Sequence, residues 1–493
     1  MILWKNGILH TLEHADQTYQ QMVTDQGVIV AFDAETHDLP IDKVIDLKGG
    51  HLYPGFVDSH LHLLGYGRQL TRPNMKNIND KQAMLACIIK HHDHVIFEGY
   101  RGEGLTFADL NQFDRPIVLR HRDYHSATVN KHVLKTLGIN SQDGLLKEDL
   151  GYLAMSHYGQ TTDQQLENMF EQAIQQLYAY GVTGGHSDDL SYFSNGFHGT
   201  LSVMNHVLQN MPFRAQLLVH HDVLDDYLDQ QLPFLDVHPF LQLGPIKIFY
   251  DGTFSSKTAL VSQPYVDDTF GLRIFEKNIL EQLILKVRKH DLPLAIHVIG
   301  DQALDEVFDL LKKYPVKQGL HDRIIHASLW QEKSYEKARE LPLIFDIQPQ
   351  FLTSDIPDIL SVFKKEPQTL YPFKTLMKQG IVLCGGSDAP VETPNPLFGM
   401  YDAIYRETTH HQIYHKEEQL TRFEALKLYT TNSQIPTYHT NRGYLKKGYV
   451  ADFTVLQHDI LTIPKAQFKS NPVTMTIIDE HIVYQDNVYV LNP

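Results

Sequence analysis

The chain has 493 residues, of which 42% are hydrophobic and 21% are charged, so it is long enough for one large and one smaller domain of ordinary globular composition. Its formal net charge of -16 argues against nonspecific binding to nucleic acid or to an anionic membrane. Two cysteines are too few for a disulfide framework. Because residues 1–7 lack a basic segment followed by a long apolar one, and no apolar run approaches about 18 residues, we expect neither a leader nor a membrane span. We therefore expect a cytoplasmic protein whose partner is a small molecule, with no nucleic acid and no membrane among its partners.

Both ends of the chain predict short β-strands. Residues 1–55 and 441–493 are rich in Val, Ile, Tyr and Thr, with turn signals such as Asn6-Gly7. We predict that these two segments together form one small composite β-sandwich domain.

Between these ends, short apolar strands alternate with amphipathic helices, which is the pattern of βα units around a parallel sheet. One helix is predicted to begin after the caps Thr161 and Thr162 and to end at Gly181. The predicted strands are residues 56–60, 182–186, 214–220, 245–250, 294–299, 323–329, 343–347 and 381–384. Eight such units predict an α/β fold, a (β/α)8 TIM barrel over residues 56–440. An open doubly wound sheet is the alternative, although no glycine-rich phosphate motif follows any of these strands.

One segment interrupts the regular alternation. From about residue 65 to 159 the chain carries extra strands, predicted at 93–97 and 116–120. We interpret this segment as an insertion after the first barrel strand. Insertions at that end of a barrel usually shape the mouth of the active site.

The first predicted barrel strand leads into His60-Leu61-His62. Side chains at positions i and i+2 of a strand point to the same face, so the two imidazoles would converge on one point. Neutral imidazole binds zinc, iron, nickel and copper, which makes the pair a candidate metal site. In a chain with 29 histidines, chance alternation on a surface strand is the other interpretation.

Polar groups that can bind metal recur at the ends of later strands. Lys247 lies in an apolar strand, where an uncompensated ammonium is costly. His297 and His326 lie in the next two strands, and Asp388 follows the last one. A single strand histidine is more often a hydrogen-bonded core residue, and Asp388 before Ala-Pro could open a turn. Several such residues in this order, each on an apolar strand, predict one shared metal site instead.

The order His-x-His, Lys, His, His, Asp resembles the metal-dependent amidohydrolase superfamily. Within it, the chain resembles the amidohydrolase-3 group, which includes YtcJ-like proteins and N-substituted formamide deformylases. The motifs that carry the resemblance are PGFVDSHLH at 54–62, KIFYDGT at 247–253, HVIGD at 297–301, RIIHA at 323–327 and GSDAP at 386–390. The resemblance implies hydrolysis of a non-peptide C–N bond, in an amide, a formamide or a cyclic imide, by metal-activated hydroxide.

The same resemblance implies the ligands of the metal site. They are His60, His62, Lys247, His297, His326 and Asp388. The first two would hold the more buried of one or two divalent ions, with zinc the best match to nitrogen-rich ligation. The two strand histidines after Lys247 would hold the more exposed ion, and Lys247, N6-carboxylated, would bridge both. Asp388 would bind metal and act as the catalytic general base and acid.

Four further residues are candidates for supporting roles. His125, in the insertion, lies in a segment that resembles the family's Asp-x-His motif, and it is a candidate substrate contact. His186 ends the second predicted strand, where it either lines the pocket or completes the strand. Asp251 and Asp301 follow two later strands and either orient metal-binding histidines or cap helices and turns.

Two other functions remain open from the sequence. A deaminase of the same superfamily often uses one metal and a catalytic Glu near the histidine of the fifth strand, but no His-x-x-Glu motif begins at His297. A non-catalytic family member, acting as an interaction protein, usually lacks ligands that are all present in this chain. Members of the superfamily are often dimers, so a homodimer is the oligomeric state that the resemblance favours.

Overall fold

Strands are distributed along the whole chain, and the computed structural model describes residues 1–121, 126–147, 149–367 and 369–486. The first strands are β1 Ile2–Lys5, β2 Ile8–His10, β3 Thr18–Tyr19, β4 Met22–Asp25, β5 Val28–Phe32, β6 Lys43–Asp46 and β7 His51–Pro54. The central strands are β8 Phe56–Leu61, β9 Ile96–Tyr100, β10 Val118–His121, β11 Ser126–Val129, β12 Leu145–Lys147, β13 Val182–Ser187, β14 Arg214–His220, β15 Leu235–His238, β16 Leu241–Phe249, β17 Leu294–Val298, β18 Asp322–His326, β19 Leu343–Ile347 and β20 Val382–Gly385. The last strands are β21 Phe453–Leu456, β22 Val473–Ile478 and β23 His481–Gln485.

Helices lie mainly between the central strands. The α-helices are α1 Leu63–Thr71, α2 Lys81–Lys90, α3 Phe107–Leu110, α4 Lys131–Leu137, α5 Asp149–Tyr158, α6 Asp163–Ala179, α7 Gly196–Asn210, α8 Leu224–Asp229, α9 Lys277–Arg288, α10 Asp301–Lys313, α11 Glu332–Arg339, α12 Pro349–Asp355, α13 Phe373–Lys378, α14 Pro396–Tyr405 and α15 Arg422–Leu428. Short 3-10 helices are Asp33–Thr36, His221–Val223, Asp358–Val362, Lys416–Glu418, Asn432–Thr437 and Lys465–Ser470. Among the described residues, no helix combines the length and the apolar character that a membrane crossing requires.

The chain divides into two compact units. The larger comprises Met1–Leu63, Ile174–Ser191 and Asn205–Pro493, and the smaller comprises Leu64–Ala173 and Tyr192–Met204. The smaller unit contains a sheet of order β12-β11-β10-β9, in which β9 and β10 are parallel and the other pairs antiparallel. The segment interpreted as an insertion therefore lies within a unit that also takes in the start of α6 and part of α7.

Eight parallel strands in the described part of the larger unit form a nearly closed barrel of order β8-β13-β14-β16-β17-β18-β19-β20. Nearly all of their residues are buried, because a barrel strand is covered by helices on one face and by packed side chains on the other. The first and last strands meet at their carboxyl ends. There the Asp388 N–H donates to the His60 carbonyl at 2.7 Å, and the His62 N–H donates to the Ala389 carbonyl at 2.8 Å. Closure of the barrel thus joins two segments of the predicted site.

The two ends of the chain form two further sheets. One has the order β5-β4-β1-β6, and the other, β23-β22-β21-β7-β2-β3, combines strands from both ends. Apolar side chains from both ends share one core: Trp4, Leu9, Met22, Ile29, Phe32, Leu47, Leu52, Leu445, Ala451, Phe453, Val455, Met475 and Ile477. The buried guanidinium of Arg214, in β14, donates to both carboxylate oxygens of Asp452, at 2.9 and 3.0 Å. This ion pair fixes the returning carboxyl-terminal segment to the barrel.

The predicted fold class, a (β/α)8 barrel with a β-sandwich composed of both termini, is confirmed, and each predicted barrel run overlaps a barrel strand. The predicted run 323–329 ends early, at His326. His326 and Ala327 have φ values of 75° and 46°, in the left-handed region, so the extended strand cannot continue past them. The run predicted at 245–250 begins earlier, at Leu241, because β15 pairs with its first residues.

Candidate metal centre

The six predicted ligands lie at the carboxyl ends of barrel strands. They are His60 in β8, His62 just beyond it, Lys247 in β16, His297 in β17, His326 in β18 and Asp388 in the turn after β20. Because parallel barrel strands run in the same direction, their carboxyl ends meet at one rim. All six side chains are mostly buried, and that of Lys247 is fully buried. The fold therefore gathers residues that are distant in sequence.

Three of these residues lie at the spacing of metal ligands. Oδ1 of Asp388 is 3.4 Å from Nε2 of His60 and 3.3 Å from Nε2 of His62. One potential ligand atom from each residue lies within 4.8 Å of the other two. A single ion could therefore contact all three.

The remaining predicted ligands adjoin this group. Nζ of Lys247 is 3.5 Å from Nε2 of His60. The ring centroid of His326 lies 5.8 Å from that of His60 and 4.5 Å from that of His297. The structure thus brings all six predicted ligands into one cluster.

Three of the imidazoles use one ring nitrogen to contact a protein oxygen. These contacts are His62 Nδ1 to the Asp188 carbonyl at 2.8 Å, His326 Nδ1 to Gln348 Oε1 at 2.6 Å, and His297 Nε2 to the Gly252 carbonyl at 3.3 Å. An oxygen acceptor calls for a protonated ring nitrogen, so the other nitrogen carries the lone pair whenever the ring is neutral. Metal-binding histidines are commonly oriented in this way. The donor set, imidazole nitrogens with a carboxylate, fits a divalent transition-metal ion.

Asp388 and His62 form an ion pair within the cluster. Although burial opposes the charged form, the hydrogen bond with His62 lowers the pKa of Asp388 below its ordinary value. Burial likewise opposes charge on His62, but Asp388 raises the pKa of this histidine to about 9. The carboxylate is therefore ionised at neutral pH, the state in which it can bind a metal or accept a proton.

The other three histidines are neutral at neutral pH. Burial, together with neighbouring cations, lowers the pKa of His60 and of His297 well below the ordinary value. Burial lowers the pKa of His326 to about 4. Neutral imidazole is the form that coordinates a metal, so these rings are ready for ligation without losing a proton.

Lys247 is fully buried, which is unusual for a lysine. Its Nζ lies 3.5 Å from Oδ2 of Asp188 and 4.4 Å from the ring centroid of Phe249. Burial lowers the pKa of the ammonium. A larger fraction of the amine is then unprotonated and nucleophilic.

Two residues of the cluster have uncommon backbone conformations. φ is 75° at His326 and 55° at Asp388, in the left-handed region. Residues held in such regions cost about 1–3 kcal/mol each and are found mainly where the surrounding structure fixes them. Here the Asp388 N–H is bonded to the His60 carbonyl, and the Ala327 N–H is bonded to the Val298 carbonyl at 2.8 Å.

Of the two predicted substrate contacts, the described residues include His186 but not His125. His186 is buried in β13, and its Nδ1 lies 3.1 Å from Nη2 of Arg323. Burial and that guanidinium lower the pKa of His186 well below its ordinary value. This ring therefore packs against an arginine inside the barrel. His125 lies outside the described residues.

Asp251 and Asp301, the predicted orienting carboxylates, have different surroundings. Asp251 accepts the Gly300 N–H at 2.8 Å, and its Oδ1 lies 3.9 Å from Nε2 of His297. Asp301 begins α10, accepts the Ser262 N–H at 2.8 Å and also accepts the Ser262 hydroxyl. The structure brings Asp251 close to a predicted ligand, whereas the contacts described for Asp301 fix a loop.

Three neighbours of the cluster were not predicted. Asp188 follows the second barrel strand, a position at which a carboxylate could have been noticed. His220 ends β14 and pairs in register with Lys247. Gln348 follows β19 and has no sequence signal that distinguishes it from a surface glutamine.

The fold and the cluster define a TIM-barrel protein with a candidate metal centre at its carboxyl rim. The model of the Amidohydrolase family matches residues 43–484. Putative amidohydrolase YtcJ of Bacillus subtilis (strain 168) is 34% identical, over 98% of this chain and 99% of that protein. The chain belongs to the amidohydrolase family.

Two further proteins are similar along nearly their whole length. N-substituted formamide deformylase of Arthrobacter pascens is 22% identical over 97% of each chain. The crystal structure of an uncharacterized metal-dependent hydrolase from Pyrococcus horikoshii OT3 has a TM-score of 0.84 at 24% identity, covering 95% of this chain and 99% of its own. The resemblance predicted from the motifs is therefore confirmed, and the solved structure shows that the fold is shared.

Proposed function

We propose that this protein is a metal-dependent hydrolase that cleaves a non-peptide C–N bond in an amide, a formamide or a cyclic imide. The supporting observation is the cluster at the barrel rim, where Asp388 lies 3.3 and 3.4 Å from the nitrogens of two histidines. The similarity to N-substituted formamide deformylase supports an amide-like substrate.

Five side chains would hold one or two divalent ions. They are His60, His62, His297, His326 and Asp388. Zinc is the ion that best suits this nitrogen-rich set, and when bound it supplies an activated water and polarises a carbonyl oxygen.

Lys247 is proposed to carry an N6-carboxyl group. Its amine is buried and has a lowered pKa, so the unprotonated form is available to add to carbon dioxide. The ammonium first gives up one proton, and the amine then forms a C–N bond with the carbon of carbon dioxide and gives up a second proton, so a buried cation becomes an anion. An anionic oxygen donor among neutral imidazoles suits a divalent ion better than an ammonium does.

Asp388 is proposed to carry the proton during hydrolysis. Its carboxylate is ionised and hydrogen-bonded to His62, so it can accept a proton from the attacking water. An amide nitrogen leaves poorly as an anion, so the same carboxyl group would then protonate it. Such general acid–base catalysis is typically worth about 10²- to 10⁴-fold.

Asp388→Asn tests this role, because it keeps the side-chain shape and removes the charge. The matched control is Asp114→Asn, at a fully exposed side chain. Zinc-loaded proteins are assayed with N-formyl, N-acyl and cyclic imide compounds, and zinc content is measured on the same samples. We expect Asp388→Asn to retain zinc and to lose at least about 10²-fold in kcat, with the control unchanged.

Two results would contradict the proposal. Full activity in Asp388→Asn rules out this carboxylate as the proton carrier. If the zinc-loaded wild-type protein hydrolyses none of the compounds in the panel, the proposed reaction class is contradicted.

A further inference from the structure

A second group of metal-binding side chains lies in the β-sandwich domain. His10 ends β2, His51 begins β7, and Asp459 follows β21. β2 and β21 both pair with β7, with Ile8 and Leu456 each in register with His51. Three neighbouring strands therefore bring two imidazoles and one carboxylate together from opposite ends of the chain.

The distances within this group are close to those of a coordinated ion. Nε2 of His10 lies 3.1 Å from Nδ1 of His51 and 4.0 Å from Oδ1 of Asp459. One potential ligand atom from each of the three residues lies within 4.8 Å of the others. A tetrahedral ion with metal–nitrogen distances of about 2.0–2.1 Å holds its ligand atoms about 3.3 Å apart. The spacing of the two nitrogens, 3.1 Å, is close to this value, and the carboxylate oxygen would have to approach Nε2 of His10 by about 0.7 Å.

Tyr53 holds the group in place. Its ring stacks on that of His10 with a centroid distance of 4.4 Å and an interplanar angle of 10°. Its hydroxyl donates to Oδ1 of Asp459 at 2.8 Å. Hydrogen bonds of this kind orient the ligands of metal sites. The carboxylate is thereby fixed beside the two rings before any ion arrives.

Charge and exposure also suit an ion. Burial lowers the pKa of His10 to about 4 and lowers that of His51, so both rings are neutral at neutral pH. His10 is 5% exposed, whereas His51 is half-buried and the Asp459 side chain is 18% exposed. An ion would thus be anchored on a buried ring and reached from solvent past the other two ligands.

We propose that His10, His51 and Asp459 form a second metal site, which takes one divalent transition-metal ion of the zinc type. Two imidazoles and one carboxylate match zinc better than calcium or magnesium, which prefer oxygen ligands. The remaining coordination positions face solvent and are filled by water. Because its ligands come from both ends of the chain, the ion stabilises the composite domain and takes no part in hydrolysis.

His51→Gln tests this site, because His51 is half-buried and its replacement is compatible with folding. His14→Gln is the matched control, an exposed histidine of the same domain. Wild-type and variant proteins are equilibrated with zinc, freed of unbound ion and analysed for zinc per chain. We expect His51→Gln to hold one zinc fewer than the wild type, with unchanged hydrolysis and unchanged barrel zinc, and the control to match the wild type.

Thermal unfolding gives a second readout. Zinc should raise the thermal unfolding midpoint of the wild type more than that of His51→Gln. Asp459→Asn, which keeps an acceptor for the Tyr53 hydroxyl, should show the same reduced response to zinc as His51→Gln. Equal zinc content in wild type, His51→Gln and Asp459→Asn would overturn the proposal. So would an equal loss of zinc in the His14→Gln control.

Discussion

Arg323→Met should destabilise the barrel strongly, because Arg323 is the buried partner of a carboxylate. Its guanidinium makes two bonds of 2.8 Å to Asp346, whose side chain is fully buried. Burial raises the pKa of Asp346 even with the arginine present. Removing one partner of a buried ion pair costs about 3–5 kcal/mol, since an uncompensated charge remains. The Ser59 carbonyl, next to His60, also loses a donor at 2.7 Å, so zinc content should fall as well.

The assay is urea and thermal unfolding followed by circular dichroism, with zinc content on the same samples. The double variant Arg323→Met with Asp346→Leu should recover most of the loss, because no buried charge is left. The control is Lys312→Met, which removes an exposed pair with Glu340 and should cost no more than about 1 kcal/mol. If Arg323→Met is as stable as the control, or the double variant is no more stable than the single one, this reasoning is refuted.

Two further predictions concern acid stability and close packing. Burial opposes ionisation of Glu306, but hydrogen bonds from Arg273 and Tyr250 lower its pKa to about 2. The ionised carboxylate therefore contributes its full stabilisation of the fold above pH 4.5, the ordinary pKa of Glu, and this contribution is lost as pH falls toward 2. The difference in thermal midpoint between wild type and Glu306→Gln should shrink over that range, and a difference independent of pH contradicts the assignment. In Gly386→Ala, the added Cβ would lie 2.6 Å from the backbone nitrogen of His60 and 2.9 Å from its carbonyl oxygen. We expect Gly386→Ala to have a lower thermal unfolding midpoint and to bind less zinc than the wild type. If the variant binds as much zinc as the wild type, the tight closure of the barrel at this point is contradicted.

The barrel could be predicted because burial on both faces leaves a clear signal in the sequence. Strands such as β19 are buried along their whole length and read as mainly apolar runs, here interrupted by Asp346. Lys247 and His297 stand out within such runs, because a polar group there is costly without a partner. Arg323 gives no such signal, since a polar residue near the start of a strand is ordinary. Its partners, Ser59 and Asp346, are 264 and 23 residues away in the chain.

The orientation of the histidines is the part of the site that residue types do not encode. The oxygens that contact His62 and His297 are the backbone carbonyls of Asp188 and Gly252, and a residue of any type would offer one. Of the three oxygens that contact these ring N–H groups, the one on His326 belongs to a side chain, that of Gln348. The proposed ligands are His, Asp and a modified Lys, and because few residue types can take this role, their pattern appears in the sequence. Which ring nitrogen keeps its lone pair for an ion depends on where the fold places a carbonyl group, and that follows from strand register and turn geometry.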